Sequence, residues 1–533
     1  MTKIILNLIL LVVLSLPNII ALKFDPSVTK LAGLLVPIIL FIGVGRLIPS
    51  FKRRLLWSMP LLVLSFVSLG ILIQFNSQVT EGVIEAIVNS DTIEAFEFIK
   101  EIEAIVYWLM IFYVMAFIYL YIQANKFRSD SLKPIKHSWL TMMLILLPIM
   151  DMLGKGASAR SYPLIIVGTV FNYAEEKASM NDLLDARKDF HFDVKKAKRD
   201  TKKETFIFVI GEASRRDYYS LYGYYRNTSP NLSALNGISV FTDAISPANT
   251  TVPSLMAVLH LSTAEDNSLF YKTKSIVSLA KEAGYKTWWI SAQSRFGRYE
   301  TSVTSSGIES DVKHFIEEGR TLSRGYDEAL LPFIEDSLAD PVMKKFIVMH
   351  LYGSHISYKK RYPESFSSFK SIPVGYENHS SKIQSRVNEY ANSISYTDSV
   401  LGRLIKKADD KEQQICVVYI ADHGEYLADD LNHYFFGHGG NPPYKVEVEV
   451  PLIVWCSEEY RQANPDKWRD ILNNRSLPIN LEDMFYSLSD LMHINYKLMK
   501  PERSFFNAKF TPLLPRKTRS SSTGKVMDYL LLK

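Results

Sequence analysis

The chain has 533 residues, 47% of them hydrophobic and 22% charged, with a formal net charge of +5. That length exceeds one ordinary core and predicts two domains. The charge is modest and the basic residues are scattered, which argues against nucleic-acid binding.

Apolar stretches of spanning length crowd into residues 1–155 and predict a transmembrane domain of five helices: Ile4–Leu22, Leu31–Ile48, Leu55–Phe75, Ile105–Ala124 and Lys136–Leu153. Lys3 ahead of the first run resembles the start of a secretory signal. No small-residue cleavage pattern follows at Ile20-Ala21-Leu22, so an uncleaved helix is predicted. Basic residues collect on one side of the spans (Lys3, then Arg46 to Arg54, then Lys126 to Lys136), and only Lys23, Lys30 and Lys100 fall on the other. With the basic side inside, the rest of the chain faces outward, in a bacterium the periplasm of a multi-pass inner-membrane protein.

The loop from Asn76 to Glu103 is acidic, with apolar positions such as Ile84, Ile87 and Phe96 at helical spacing. An amphipathic helix on the outer membrane surface and a solvated connecting helix both fit this pattern. Residues 156–203 read as a connector, apolar from Tyr162 to Val170 and charged from Glu175 to Lys203.

From residue 204 to 533, strand-like runs alternate with helical patterns. The strands are Thr205–Ile210, Lys286–Ile290, Lys345–His350, Cys416–Ile420 and Pro451–Trp455. The helices include Val252–Leu261, Ser275–Ala283, Lys382–Lys407 and Glu482–Leu491. This alternation predicts a doubly wound α/β domain. The polar stretch Arg516 to Gly524 reads as an exposed loop before a last strand, Val526–Leu532. The two cysteines, Cys416 and Cys456, form no disulfide framework and are expected to be buried free thiols.

Candidate chemistry gathers after the strands. Ala421-Asp422-His423-Gly424-Glu425 follows the apolar run Ile415 to Ile420, placing an acid and an imidazole at the carboxyl end of a buried strand. Ligands of open α/β sheets bind at that edge, and adjacent oxygen and nitrogen donors suit a divalent metal of the zinc type. Glu212 follows the strand that ends at Ile210; it suits the same edge, or a helix amino terminus.

The segment Asn249-Thr250-Thr251-Val252-Pro253-Ser254 sets hydroxyls just before a helix, with Pro253 suited to a first turn. A threonine there is an N-cap, or a nucleophile if a metal lowers its pKa. His350-Leu351-Tyr352-Gly353-Ser354-His355 and His438-Gly439-Gly440 are two further histidine-bearing segments, and His433 lies close to His438.

Together these segments resemble the bacterial phosphoethanolamine transferases of the alkaline phosphatase and sulfatase superfamily. The resemblance rests on Val209-Ile210-Gly211-Glu212-Ala213-Ser214-Arg215, Arg226-Asn227-Thr228-Ser229-Pro230-Asn231-Leu232, the Thr251 segment, Gly353-Ser354-His355, Ala421-Asp422-His423-Gly424-Glu425 and Gly437-His438-Gly439. It implies a five-helix membrane domain at 1–155, a connector at 156–203 and an alkaline phosphatase-like periplasmic domain at 204–533. It further implies that Glu212, Thr251, Asp422 and His423 bind one zinc ion, with Thr251 as nucleophile. His355 and His438 would face the transferred group, directly or through a second zinc. Thr251 is preferred to Thr250 because the family's nucleophile precedes a Ser by three residues, here Ser254. In related sulfatases it stands two before a Pro, here Pro253.

The implied activity is transfer of phosphoethanolamine from phosphatidylethanolamine to an envelope glycolipid, with a covalent intermediate on Thr251, in a monomer. The lipid A-modifying relatives carry cysteines flanking the nucleophile, whereas Ser246 to Ala257 holds none. The acceptor is thus left open among lipid A, a lipopolysaccharide core sugar and another periplasmic glycan. A phosphoglycerol transferase, a membrane-bound sulfatase-like hydrolase and a metal-free sensor are the competing readings.

Overall fold

The computed structural model describes residues 2–22, 35–48, 50–74, 84, 87–88, 90, 92–126, 138–153, 161–162, 164–171, 174, 185, 187–195, 203–293, 302–315, 326–431 and 435–533. The chain divides into two compact units, Met1–Ile87 with Ile99–Ser179 and Val88–Phe98 with Met180–Lys533.

In the first unit the helices are α1 (Thr2–Ala21), α2 (Leu35–Leu47), α3 (Phe51–Trp57), α4 (Met59–Gln74), α6 (Ala104–Lys126) and α7 (Ser138–Leu153); α5 (Thr92–Glu101) precedes α6 in the chain and belongs to the second unit as far as Phe98. Among the described residues two helices, α1 and α6, are long and apolar enough to cross a membrane. A third span results if α3 and α4, bent by 48° at Ser58, are counted as one. The five-span expectation thus meets helices of 13 residues at α2 and 16 at α7, and residues 31–34 and 136–137 of those two spans lie outside the described residues. One buried polar cluster ties three of these helices together. Tyr113 Oη donates to Val13 O (3.1 Å) and lies 3.0 Å from Ser65 Oγ, joining α1, α4 and α6. Of the acidic loop, α5 is described, and it leaves Phe96 and Ile99 exposed. Most of the charged stretch from Glu175 to Lys203 lies outside the described residues.

The second unit is built on a seven-stranded sheet. Its strands are β1 (Glu204–Gly211), β2 (Ile238–Phe241), β3 (Lys286–Ser291), β4 (Val312–Phe315), β5 (Lys344–His350), β6 (Gln414–Ala421) and β7 (Leu452–Cys456). The spatial order is β2-β7-β6-β1-β5-β3-β4. The pairs β1–β5, β1–β6, β3–β5 and β3–β4 are parallel, while β7 runs antiparallel to β6 and to β2. A central parallel strand is buried on both faces, which explains why β1 is an unbroken apolar run. Phe206, Phe208 and Ile210 enter one core, and Ile207 and Val209 the other.

The register pairs Ile210 with His350 and Gly211 with Ala421. The residues that follow β1, β5 and β6 therefore emerge side by side where the chain switches direction of winding, the usual location of ligands in such sheets.

Three expectations are corrected. Cys416 and Cys456 are directly opposed across β6 and β7, with Cα atoms 4.2 Å apart, and form a disulfide rather than free thiols. Only the antiparallel register brings them to this closely spaced pair. The stretch Arg516 to Gly524 is not an exposed loop: Lys517–Arg519 pairs with Val526–Asp528, and Thr518, Ser520 and Ser522 are buried. Ser520 Oγ lies 3.1 Å from Ser522 Oγ, and the main chain finds a partner inside, with Arg519 N donating to Pro247 O (2.8 Å). The last strand stops at Asp528, whose side chain accepts from Leu530 N (2.9 Å) and caps a 3-10 turn over Tyr529–Leu531.

Candidate active site

Glu212 extends β1 and is buried. Ala213 next to it holds a left-handed backbone (φ 50°), which aims its amide at Asp422 Oδ1 (3.1 Å). Gly353 after β5 also has φ +52°, and a Cβ there would come within 2.8 Å of Glu212 N and O, so only glycine lets the β5 loop lie against β1. Ser354 N completes the contact by donating to Glu212 O (2.9 Å).

After β6, Asp422 Oδ1 also accepts from His423 N (2.8 Å). Its buried Oδ2 has no hydrogen-bond partner among the described residues. His423 Nδ1 donates to Gly424 O (2.7 Å), which leaves Nε2 as the nitrogen facing Glu212 and Thr251. A Cβ on Gly424 would fall 2.0 Å from Val446 O, so this turn too requires glycine.

The helix α8 (Thr251–Val258) starts at the mouth of this edge. Thr251 Oγ1 stands 3.3 Å and 3.2 Å from the two Glu212 carboxylate oxygens and 3.3 Å from His423 Nε2. His423 Nε2 is in turn 3.2 Å from Glu212 Oε1 and 3.4 Å from Asp422 Oδ2. Ser254, one turn into α8, donates to Asp422 O (2.6 Å) and holds the helix to the strand end.

Burial and the neighbouring Asp422 charge push the Glu212 carboxyl up to about 7. Burial disfavours a charged His423, but Asp422 and Glu212 outweigh it and raise the imidazole to about 10. Two carboxylates sealed from water with one imidazole call for more positive charge. Ligand atoms of Glu212, Asp422 and His423 all lie within 4.8 Å of one another. With Asp422 Oδ2 buried and free of hydrogen bonds among the described residues, this donor set of imidazole, carboxylate and hydroxyl fits a zinc-type ion.

A second group adjoins it. His423, Glu425 and His438 also bring ligand atoms within 4.8 Å, and the rings of His423 and His438 are 4.1 Å apart. Glu425 is buried between Tyr358 Oη (2.6 Å) and His438 Nδ1 (2.8 Å). His355 stacks on Tyr352 and lies 6.3 Å, ring to ring, from His438. His350 points elsewhere, into the core against Trp289 (6.0 Å), where burial lowers it to about 4. His433 lies outside the described residues.

Glu425 and Glu447 carry no role in the sequence reading. Glu425 lies two residues beyond His423 on the same strand end, a signal available in the motif itself. Glu447 lies on a distant loop; it is buried and accepts from Gly440 N (2.9 Å), Tyr444 N (2.9 Å) and Asn249 Nδ2 (3.1 Å), and burial raises it to about 7.

A sulfatase family model matches residues 204–494. Phosphoethanolamine transferase EptC of Escherichia coli strain K12 is 32% identical over 315 residues, covering 57% of this chain and 54% of that protein. The chain thus spans about half the length of the curated relatives it matches. Among solved structures, the periplasmic domain of EptC from Escherichia coli in complex with Zn superposes with a TM-score of 0.60 at 29% identity, covering 64% of this chain and 96% of that one. The integral membrane protein lipooligosaccharide phosphoethanolamine transferase A from Neisseria meningitidis shares the fold across 94% of this chain and 97% of its own, with a TM-score of 0.68 at 17% identity. The matched region covers more than half of the sequence and holds the whole sheet with its strand-end cluster, and the chain belongs to the sulfatase family.

Proposed function

We propose that this protein transfers phosphoethanolamine from phosphatidylethanolamine to a periplasm-facing glycolipid, lipid A or a lipopolysaccharide core sugar, through a phosphorylated Thr251. The observation that carries this reading is the Thr251 hydroxyl set 3.2–3.3 Å from both Glu212 and His423 at the sheet edge. The names of the similar proteins support the transferred group.

Glu212, Asp422 and His423 would hold a zinc ion beside Thr251. Bound there, zinc would supply Lewis-acid stabilisation of a threonine alkoxide and of charge developing on the phosphoryl oxygens. Thr251 Oγ1 then forms a bond to phosphorus as the bond to the diacylglycerol oxygen breaks. His438, its Nδ1 held by Glu425, presents Nε2 for proton exchange with the leaving and then the entering oxygen. The acceptor hydroxyl or phosphate attacks in line and regenerates Thr251.

The location that serves this chemistry is the bacterial inner membrane, with residues 1–155 crossing it five times, 156–203 connecting, and 204–533 in the periplasm as a monomer. The apolar helices and the membrane-integral neighbour support the membrane location.

The test is incubation of the full-length protein with phosphatidylethanolamine labelled in its headgroup, followed by mass analysis of the Thr251 peptide. A phosphoethanolamine adduct that disappears in Thr251→Ala supports the reading. Label from phosphatidylglycerol alone would replace the donor, and full activity in Thr251→Ala would remove the nucleophile.

A further inference from the structure

Asn249 is fully buried where three chain segments meet. Its Oδ1 accepts from Ser521 N (3.0 Å), and its Nδ2 donates to Gly440 O and Glu447 Oε2 (both 3.1 Å). Its carbonyl accepts from Gly439 N (3.2 Å). This joint therefore sits two residues before Thr251, next to the glycines that follow His438, and against a serine-rich turn 272 residues further along the chain.

Thr250 opens α8, yet its side chain does not cap the helix. Its hydroxyl donates to Ser521 Oγ instead (2.6 Å). Ser521 thus grips both residues ahead of Thr251, Asn249 through its amide and Thr250 through its hydroxyl. The turn is itself anchored: Arg519 N donates to Pro247 O (2.8 Å), and the Arg519 guanidinium donates to Ala264 O (3.0 Å) and Glu265 O (3.3 Å). Glu212, Asp422 and His423, by contrast, project from the ends of β1 and β6.

We propose that Ser521 and Asn249 are positioning residues for group transfer, fixing the main chain at 249–250 so that Thr251 Oγ1 stays set against Glu212 and His423. The inference rests on the reading of Thr251 as nucleophile. Hydrogen bonds on both preceding residues remove the freedom of the loop that delivers the hydroxyl, and alignment of a nucleophile is worth far more in rate than in binding. Glu212, Asp422 and His423 are held by other elements, so three of the metal donors keep their places whatever stands at 521.

The test uses the full-length protein with Ser521→Ala, Ser521→Thr and Asn249→Ala. The readouts are kcat and KM for phosphatidylethanolamine and for bis(p-nitrophenyl) phosphate, zinc per chain, and Tm. Ser521→Ala is expected to lower kcat about tenfold or more with KM, zinc content and Tm unchanged, and Ser521→Thr to recover it to within about twofold. Unchanged kcat in Ser521→Ala, or a loss that Ser521→Thr does not recover, overturns the inference. A loss of zinc in step with kcat also overturns it. If Asn249→Ala does not fold, the half-buried Ser521 decides alone. Wild-type protein that cleaves the diester but takes nothing from phosphatidylethanolamine refutes the donor and leaves Ser521 to be judged on the diester. Wild-type protein inert to both refutes the nucleophile and this inference together.

Discussion

Ser254 Oγ lies 2.6 Å from the main-chain oxygen of Asp422, so the helix that begins at Thr251 is tied to the strand end that carries His423. The spacing of three residues between Thr251 and Ser254 puts the hydroxyls one turn apart on one face of the helix. Removing either has different consequences. Ser254→Ala should cost about 1–2 kcal/mol of stability, because a buried carbonyl loses a donor. Thr251→Ala, at the half-buried mouth, should change stability by no more than about 0.5 kcal/mol. It should nevertheless abolish covalent labelling. Thermal unfolding alongside labelling with headgroup-tagged lipid separates the two.

Asp422→Asn should strip bound zinc. The substitution keeps the shape but replaces a buried carboxylate oxygen that no hydrogen bond within the described residues occupies. Elemental analysis should find near-stoichiometric zinc in the wild type and little in the variant. Retention of full zinc would remove Asp422 from the ligand set.

Gly424→Ala should be among the most damaging single-methyl changes in the chain. The added carbon meets a main-chain oxygen at 2.0 Å, which must move the 446–447 segment away from the site. A destabilisation of about 3 kcal/mol is expected, at the upper end for an overpacked site. A melting temperature within a degree of wild type would contradict this.

Cys416 and Cys456 close a loop of sequence separation 40. Replacing both with alanine should lower stability by about 2–4 kcal/mol, since the unfolded chain regains freedom. Turnover at low temperature should persist, because the disulfide joins β6 and β7 at Cys416, far along β6 from Ala421 and the site. Chemical unfolding with and without reductant measures the difference.

His260 gives the acid limb of stability a definite sign. Burial holds it well below its usual 6.5, with nearby Arg187 acting the same way, and Ser306 Oγ lies 3.0 Å from its Nε2. The unfolded chain takes up a proton below pH 6.5 that the folded chain refuses. The stability this group provides is therefore complete above about pH 6.5 and falls by about 1.4 kcal/mol per pH unit below it. His260→Gln should flatten the decline between pH 6.5 and 5 in unfolding experiments. An unchanged slope would assign it to other groups.

The parts of this fold that show in the sequence are those governed by short-range pattern. β1, β3, β5, β6 and β7 are runs such as Phe206 to Ile210, unbroken because both faces are covered, and Glu212 and Asp422-His423 are visible as the polar residues that end such runs. What depends on pairing between distant segments does not show. Nothing near Cys416 or Cys456 indicates that β6 and β7 lie antiparallel in the register that joins them. Ser520 to Ser522 look like solvent-facing polar residues, because hydrogen bonding to the 247–250 loop is invisible until both segments are placed. The final strand fails for a local reason: Asp528 caps a turn that overrides the strand preference of the residues around it. Glu447 is equally hidden, a carboxylate on a loop whose partners Asn249 and Gly440 come from elsewhere.

The placement of β1 sets the order in which the second unit can assemble. It is the first strand of the sheet in the chain, yet it pairs with Lys344–His350 on one edge and Gln414–Ala421 on the other. While the chain emerges, Phe206-Ile207-Phe208-Val209-Ile210 waits with both edges open, and such an apolar, β-prone segment readily joins another chain. Newly made molecules should therefore need shielding by a chaperone until β6 arrives, and slowing synthesis between β1 and β6 should raise the fraction that aggregates.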